Sequence, residues 1–511
     1  MNNNKKTKLN FIVLFLYQII VIILGLLVPK LFLNRFGSEV NGLINSINQF
    51  ISYLMIFEAG IQSVATQSLY RTIGQSDKKS TNEILSAVNK NYRKIGILYF
   101  FGLLSLALIY PIFVTVSSIG YIEIALIILF SGLANVISFF VHAKYRILLA
   151  VDGKSFVING INICTTLLNN AIKIILLLFT NDVLFIIIAS FVVALIPAFS
   201  IMLVISRGYK WIDLSEIPNY SALRQNKAAL IHQISGLIFS STDIIILTIF
   251  CDLKVVSVYT VYKMVCDYMM QFIKMPFTSF SFRLGQAYNV DKSNYSKKID
   301  LAEVTTSTLA FSLFAVTFCL LPTFVSIYTK GVTDINYTDT KLAFLFVVCQ
   351  LLNYMRHPMT STITYAGHFQ ETVSRTILEA VINLTVSIAC VQFFGIYGVL
   401  FGTVCALSYR TADIIVYANK RLLGRSPKKT FNLYLILWVC FILTVIINSA
   451  LGIVINSTFT SFITSGIIYT IVICFLYFSI VSIFFKEESK TLIRIVSQYL
   501  KETIWKIEKK K

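Results

Sequence analysis

Apolar runs of about 20 residues recur almost from one end of this chain to the other, and each is long enough to cross a bilayer. The first follows Lys5, Lys6 and Lys8 and extends from Leu9 to about Leu33. It is too long for a signal-peptide core and has no small-residue cleavage site, so it is expected to remain as a span. Further spans are expected at about 43–70, 95–117, 121–145, 156–179, 183–205, 228–250, 253–283, 302–328, 340–366, 372–394 and 397–419. Two plainer spans follow at about 432–456 and 460–485. Charged residues make up only 13% of the 511, against about 25% in soluble proteins. The chain therefore reads as an all-α polytopic membrane protein of about 14 transmembrane helices. A transmembrane β-barrel would show short alternating segments instead.

The formal charge of +20 raises the question of nucleic acid, but the basic residues sit in short gaps between apolar runs. That is the pattern of membrane orientation. With the N-terminus inside, about 34 of the Lys and Arg fall on the cytoplasmic side and about five outside (Lys30, Arg35, Lys254, Lys330 and Lys341). Both termini are thus expected in the cytoplasm. The nine cysteines form no CxxC pair and read as reduced thiols in or near spans, and the four histidines have no metal-ligand spacing.

The spans also repeat. Starts at 43, 156 and 183 recur about 215 residues later at 253, 372 and 397, the arrangement of same-orientation six-span units with a site between two lobes. Ala150-Val151-Asp152-Gly153-Lys154 echoes Tyr365-Ala366-Gly367-His368, and Phe36 echoes Phe250. The expected organisation is a cytoplasmic N-terminus (1–8), an N-lobe (9–205), a linker (206–227), a C-lobe (228–419), two added spans (432–485) and a basic tail (486–511). The two six-helix lobes would surround a central cavity. In the tail, Leu492, Val496, Tyr499, Leu500, Ile504 and Ile507 form an apolar stripe suited to a surface helix on the inner leaflet.

Charge at membrane depth carries the functional reading. The stretch 252–283 holds Lys263, Asp267 and Lys274, which share one helical face with Tyr259 and Gln271. Each charge costs about 2.5–3.5 kcal/mol on insertion scales and faces protein or water. Polar stripes recur elsewhere: Asn159, Asn162, Thr166, Asn169 and Lys173 in the fifth span, and Gln350, Asn353, Arg356 and His357 in the tenth. The eleventh carries Arg375, Glu379, Asn383 and Ser387, and the twelfth pairs Arg410 with Asp413. Such faces line a bundle interior or a hydrated cavity.

The intramembrane cations Lys173, Lys263, Lys274, Arg356 and Arg410 face a set of acids, Glu58, Asp243, Asp267, Glu379 and Asp413. Lys263 with Asp267 and Arg410 with Asp413 have intrahelical ion-pair spacing. Arg356 has no acid within a turn on its own helix, and an unpaired guanidinium at depth suits a phosphate-bearing ligand. Lys173 reads either as a second such cation or as a snorkelling side chain. Glu58 and Asp243 are candidates for proton or sodium coupling, or simply satisfied carboxyls, and Asp267, Glu379 and Asp413 join the coupling candidates. No GxxxxGK[ST], GxSxG or HExxH motif is present, and the external loops are short, so no enzyme activity is expected.

Phe36-Gly37-Ser38-Glu39 with Gly42-Leu43, Glu58-Ala59-Gly60-Ile61 running to Leu69-Tyr70, and Ser241-Thr242-Asp243-Ile244-Ile245-Ile246-Leu247 followed by Tyr259 carry a family resemblance. With the duplicated topology, they resemble the polysaccharide (Wzx-type) flippases of the multidrug/oligosaccharidyl-lipid/polysaccharide exporter superfamily. That resemblance implies export of an undecaprenyl-pyrophosphate-linked oligosaccharide across a bacterial cytoplasmic membrane by alternating access. An ion gradient would drive it without a bound cofactor, and membrane lipids, a glycan polymerase and other assembly proteins would be its partners. The residues expected to contact pyrophosphate and sugar are Arg356, Lys263, Lys274, Arg410, Lys173, Asn162, Asn169 and Gln271; these come from the charge argument, not from a family motif. The alternatives are a cation-coupled multidrug exporter of the same fold and a non-transporting scaffold for glycan assembly.

Overall fold

The computed structural model describes residues 3–58, 61–75, 77–223, 227–290, 292–451, 458–494 and 497–498. Among the described residues the chain is helical, apart from an isolated bridge between Val116 and Ile119. The helices are α1 (Asn3–Leu54), α2 (Ile61–Gly74), α3 (Lys78–Phe113), α4 (Tyr121–Val141), α5 (Ala143–Val151), α6 (Ser155–Phe179), α7 (Val183–Ala194) and α8 (Ile196–Gly208). They continue with α9 (Lys227–Phe250), α10 (Leu253–Val290), α11 (Lys292–Tyr328), α12 (Thr340–Met355), α13 (His357–Ala366), α14 (Val373–Phe394), α15 (Ile396–Tyr417), α16 (Lys428–Leu451) and α17 (Phe459–Phe484).

Ten helical stretches are long and apolar enough to cross a membrane, and a bent pair in α9, Leu230–Phe239 with Ser241–Phe250, makes up to eleven. The other expected spans are not among these, and local features mark each of them. Gly37, at φ 78° and ψ −177°, is non-helical and divides α1 into two stretches where the sequence reads two spans. The stretch 253–283 is one continuous helix, but it carries Lys263, Asp267 and Lys274. The stretch 340–366 is broken at Arg356, where Pro358 in the first turn of α13 has no N–H to extend the α12 ladder. A second broken span, α7 and α8, likewise resumes with Pro197 in its first turn. Loop-side ends are capped by carboxylates: Asp77 accepts from Ser80 N, Asp182 from Phe185 N and Asp339 from Leu342 N.

The chain packs as two compact units, residues 1–260 with 331–335 and residues 261–330 with 336–511. The division falls within α10, so α9 belongs to the first unit. The core of the first unit is built on buried Leu43, Leu69, Leu85, Tyr92, Tyr99, Leu103 and Ile127. Its helices approach closely at Gly42, where any Cβ would collide with the backbone carbonyl of Leu253. Hydroxyls and amides then stitch α1 to its neighbours. Asn41 Nδ2 donates to Ser257 Oγ (2.6 Å), Tyr110 and Thr248 both donate to Ser46 Oγ (2.8 Å each), and Tyr53 shares a hydrogen bond with Thr242 (2.7 Å). These polar faces are satisfied between helices, as a bilayer requires. The segment after α8 is held to α3 by Asn82 Nδ2 to Trp211 O (3.1 Å) and Ser86 Oγ to Leu214 O (3.1 Å).

In the second unit, α14 and α15 pack on a Gly398-x-x-x-Gly402 face. A Cβ on Gly402 would lie 2.7 Å from Ser387 N and 2.9 Å from Ser387 Cα, and one on Gly398 would overlap the Cys390 carbonyl. The small residues let the backbones touch, and Asn383 Nδ2 to Thr403 Oγ1 (3.0 Å) completes the contact. Helix 486–494 follows α17 and begins the expected tail helix; Val496, Tyr499, Leu500, Ile504 and Ile507 lie outside the described residues.

The echo between 150–154 and 365–368 has a geometric counterpart. Gly153 and Gly367 hold φ of 72° and 71° at the ends of the short helices α5 and α13. Just beyond, Lys154 Nζ donates to Tyr209 OH (2.8 Å) at the end of α8, and His368 Nδ1 meets Tyr417 OH (2.9 Å) at the end of α15. Tyr209 also donates to Asp152 (2.5 Å), which pairs with Lys154 at 2.8 Å. Burial, then the bond to Asp152, pushes the Tyr209 phenol up to about 12. Burial works against the Lys154 ammonium, but its bonds to Asp152 and Tyr209 outweigh it and raise its pKa. A raised lysine stabilises fully below its unfolded value of about 10.4 and loses that contribution only above the folded one. Trypsin cleavage at Lys154 is therefore expected to remain slow across about pH 7–9 in the native protein, and to speed up at every pH in that range in Tyr209→Phe.

Candidate functional site

Three elements of the second unit bring their charged faces together. The α10 face presents Lys263, Asp267 and Lys274, because residues three and four apart align on a helix. Lys263 Nζ lies 2.9 Å from Asp267 Oδ2, the intrahelical pair read from the sequence, and Gln350 of α12 donates to the other Asp267 oxygen at 3.0 Å. The break between α12 and α13 holds Arg356, whose Nε donates to Asn353 Oδ1 at 3.2 Å. Helices α14 and α15 supply Arg375, Thr376, Glu379, Arg410 and Asp413.

Glu379 is the centre of this arrangement. One oxygen takes an ion pair from Arg356 Nη1 and the other lies 3.5 Å from Arg410 Nε. Arg410 reaches Asp413 at 2.6 Å, the second expected intrahelical pair, and donates to Thr376 Oγ1 at 3.1 Å. Arg375 closes the chain by pairing with Asp413 and lying over the Tyr417 ring, 4.8 Å from its centroid. The side chains of Arg410 and Glu379 are 6% and 7% exposed, whereas those of Lys263 and Asp267 are 30% and 42% exposed. The Arg410–Glu379 pair is thus a buried clamp, and Lys263, Asp267 and Arg375 around it are more exposed.

This corrects one expectation. Arg356 is not an unpaired cation: its counter-charge comes from Glu379 on α14, a partner that spacing along its own helix does not reveal. Lys274 fits that description better. Its ammonium makes no hydrogen bond or ion pair among the described residues, and it feels the charges of Arg356 and Asp267. Gln271 is exposed on the same helix and has a polar partner. Arg375 and Gln350, part of the polar stripes but outside the expected contacts, belong to the cluster through Asp413 and Asp267.

The remaining candidates are in the first unit. Lys173 and Asn162 are half-buried on α6 with no hydrogen bond or ion pair among the described residues, and Asn169 Nδ2 donates to the Ser190 carbonyl (3.1 Å). Glu58 accepts from Tyr92 OH (2.9 Å), and Asp243 from Tyr259 OH (2.7 Å). Among the described residues, no group of His, Cys, Asp and Glu is arranged to hold a metal ion.

The five cations Lys263, Lys274, Arg356, Arg375 and Arg410 stand against three carboxylates, Asp267, Glu379 and Asp413. The second-unit cluster therefore has two positive charges in excess. It can neutralise a dianion without acquiring a net negative charge.

No protein-family model matches the chain, and no curated protein matches it in sequence. Solved structures do match its fold. One is described as lipid II flippase MurJ in an inward closed conformation, with a TM-score of 0.68 at 15% identity over 94% of this chain and 99% of that one. An inward-facing multidrug resistance MATE transporter of the MOP superfamily gives 0.55 at 16% identity, covering 80% and 96%. A MOP superfamily transporter from Pyrococcus furiosus, whose description notes a binding pocket of reverse polarity, gives 0.52 at 14% identity, covering 82% and 95%. The chain is thus a multi-pass membrane protein with the fold shared by MOP-superfamily transporters and flippases.

Proposed function

We propose that this protein is a flippase for a lipid-pyrophosphate-linked oligosaccharide, moving it across a bacterial cytoplasmic membrane for surface-glycan assembly. The observation that carries the reading is the excess of two positive charges in the α10, α12–α15 cluster. A pyrophosphate diester carries matching negative charge, and Arg and Lys donors bind its oxygens through charge-assisted hydrogen bonds. Gln350, Asn353 and Gln271 would bond sugar hydroxyls beside it. In this reading the two stretches of α1, the bent α9, α10 and the broken α12–α13 are spans too, fourteen with the others. In this reading both termini are cytoplasmic, two six-helix lobes alternate access, and a proton or sodium gradient drives the cycle with Glu58, Asp243 or the cluster acids as coupling groups. Lys173, Asn162 and Asn169 supply the N-lobe contacts. A glycan polymerase would take up the product.

The MATE-type matches support a second reading, a cation-coupled drug exporter of the same fold. A cationic cluster repels cationic drugs, which weighs against it. Binding separates the two. Purified protein in nanodiscs is expected to bind undecaprenyl pyrophosphate, and Lys274→Ala to weaken that binding by about 10-fold or more, since a hydrogen bond to a charged group is worth about 1.5–3 kcal/mol. Unchanged affinity in Lys274→Ala and in Arg356→Ala would remove the cluster as the pyrophosphate site.

A further inference from the structure

The first unit holds a cavity of about 420 Å³ at the end of α8, lined by Tyr145, Met202, Ile205, Ser206, Lys210 and Leu214, among others. One wall is apolar and continuous with the outward face of α8, where Phe199 is 66% exposed and Met202 and Leu203 are also exposed. On a helix that crosses the membrane, such a face meets lipid. The rim is basic. Arg207 and Lys210 are exposed, and neither they nor the Tyr145 hydroxyl have a hydrogen-bond or ion-pair partner among the described residues. Asp152 is held by Tyr209 and Lys154; Asp213 accepts from Ser215 N (2.8 Å) and Ser215 Oγ (2.7 Å), neutral donors that leave its charge in place, and Glu216 follows it in sequence. Trp211, its ring centroid 6.2 Å from that of Tyr209, stands beside the cavity.

A lining cation and a lining hydroxyl, each without a partner among the described residues, stand over an apolar floor that opens to lipid, with Arg207 next to the lining Ser206 in sequence, and this matches one kind of ligand. We propose that this cavity binds the headgroup phosphate of an anionic bilayer phospholipid, with the upper acyl chain lying along Met202 and Leu203. Arg207 and Lys210 would neutralise the phosphate, Tyr145 would donate to it, and the apolar wall would exclude a free, fully hydrated anion. Juxtamembrane cations gather anionic lipid in this way. The proposal does not rest on the transport reading, because it concerns lipid at the rim of one unit.

Trp211 provides the test. With Trp438 and Trp505 replaced by Phe, the protein is placed in phosphatidylcholine vesicles containing equal fractions of brominated phosphatidylglycerol or brominated phosphatidylcholine. Quenching of Trp211 is expected to be about twofold stronger with the anionic lipid, and the preference to vanish in Arg207→Gln/Lys210→Gln. Both changes are at exposed positions, so folding is expected to survive and is checked by size exclusion. Equal quenching by the two lipids, or a preference that survives the double substitution, would overturn the proposal. Loss of the preference on adding inorganic phosphate at matched ionic strength would assign the cavity to a free anion and overturn the lipid assignment.

Discussion

Glu379→Gln is expected to destabilise the protein by about 3–5 kcal/mol, the range seen when one partner of a buried ion pair is removed. Glu379 is buried and answers two guanidinium groups at once, Arg356 through one oxygen and Arg410 through the other. An amide of the same shape keeps the packing but leaves two neighbouring cations with Asp413 alone, which already serves Arg375. Like charges would then face one another where desolvation makes repulsion strong. Thermal unfolding of the solubilised protein measures the effect. The double variant Glu379→Gln/Arg410→Gln should recover part of the loss, since it removes one of the two stranded charges together with their shared partner. Equal stability of the single variant and the native protein would mean that Glu379 does not hold the cluster together.

The second large effect concerns packing. Gly402→Leu is expected to cost more than about 3 kcal/mol and to sharply reduce folded protein in the membrane, because the added atoms meet the Ser387 backbone as well as its hydroxyl, and the backbone cannot rotate away. Helices α14 and α15 would have to separate, taking Glu379 away from Arg410. Gly236→Ala is the matched control: a Cβ there meets nothing within 4 Å, and replacing a helical glycine is expected to be neutral or to stabilise by about 0.5–1 kcal/mol. Similar yields of the two variants would contradict the close-packed interface.

What was legible in the sequence follows from which constraints are local. Span positions were readable because a bilayer imposes apolar length directly on the chain, and the pairs Lys263–Asp267 and Arg410–Asp413 because helical spacing alone brings them together. The partner of Arg356 was not readable, since Glu379 lies 23 residues away on another helix and only tertiary packing brings it close. The break at Arg356 left a trace in Pro358, and the α14–α15 contact in Gly398-x-x-x-Gly402, but neither says which helix lies opposite. Members of the polar stripes also make interhelical bonds, with Asn169 donating to the Ser190 carbonyl and Asn383 to Thr403 Oγ1. A stripe pattern does not distinguish a seam from a cavity lining. That Lys274 lacks an ion pair among the described residues of the second-unit cluster emerges only once the partners of Lys263, Arg356, Arg375 and Arg410 are known.

The measurement that tests the central claim most directly is surface-glycan export in the host strain, with the deletion complemented by native protein, Lys274→Ala or Lys274→Arg at matched membrane levels. The account predicts that the deletion and Lys274→Ala lose surface polymer and accumulate lipid-linked repeat units inside the cell, and that Lys274→Arg, which keeps the charge, restores export. Normal export with Lys274→Ala, with lipid-linked intermediates at the native level, would contradict a flippase that holds its substrate through the α10 cation.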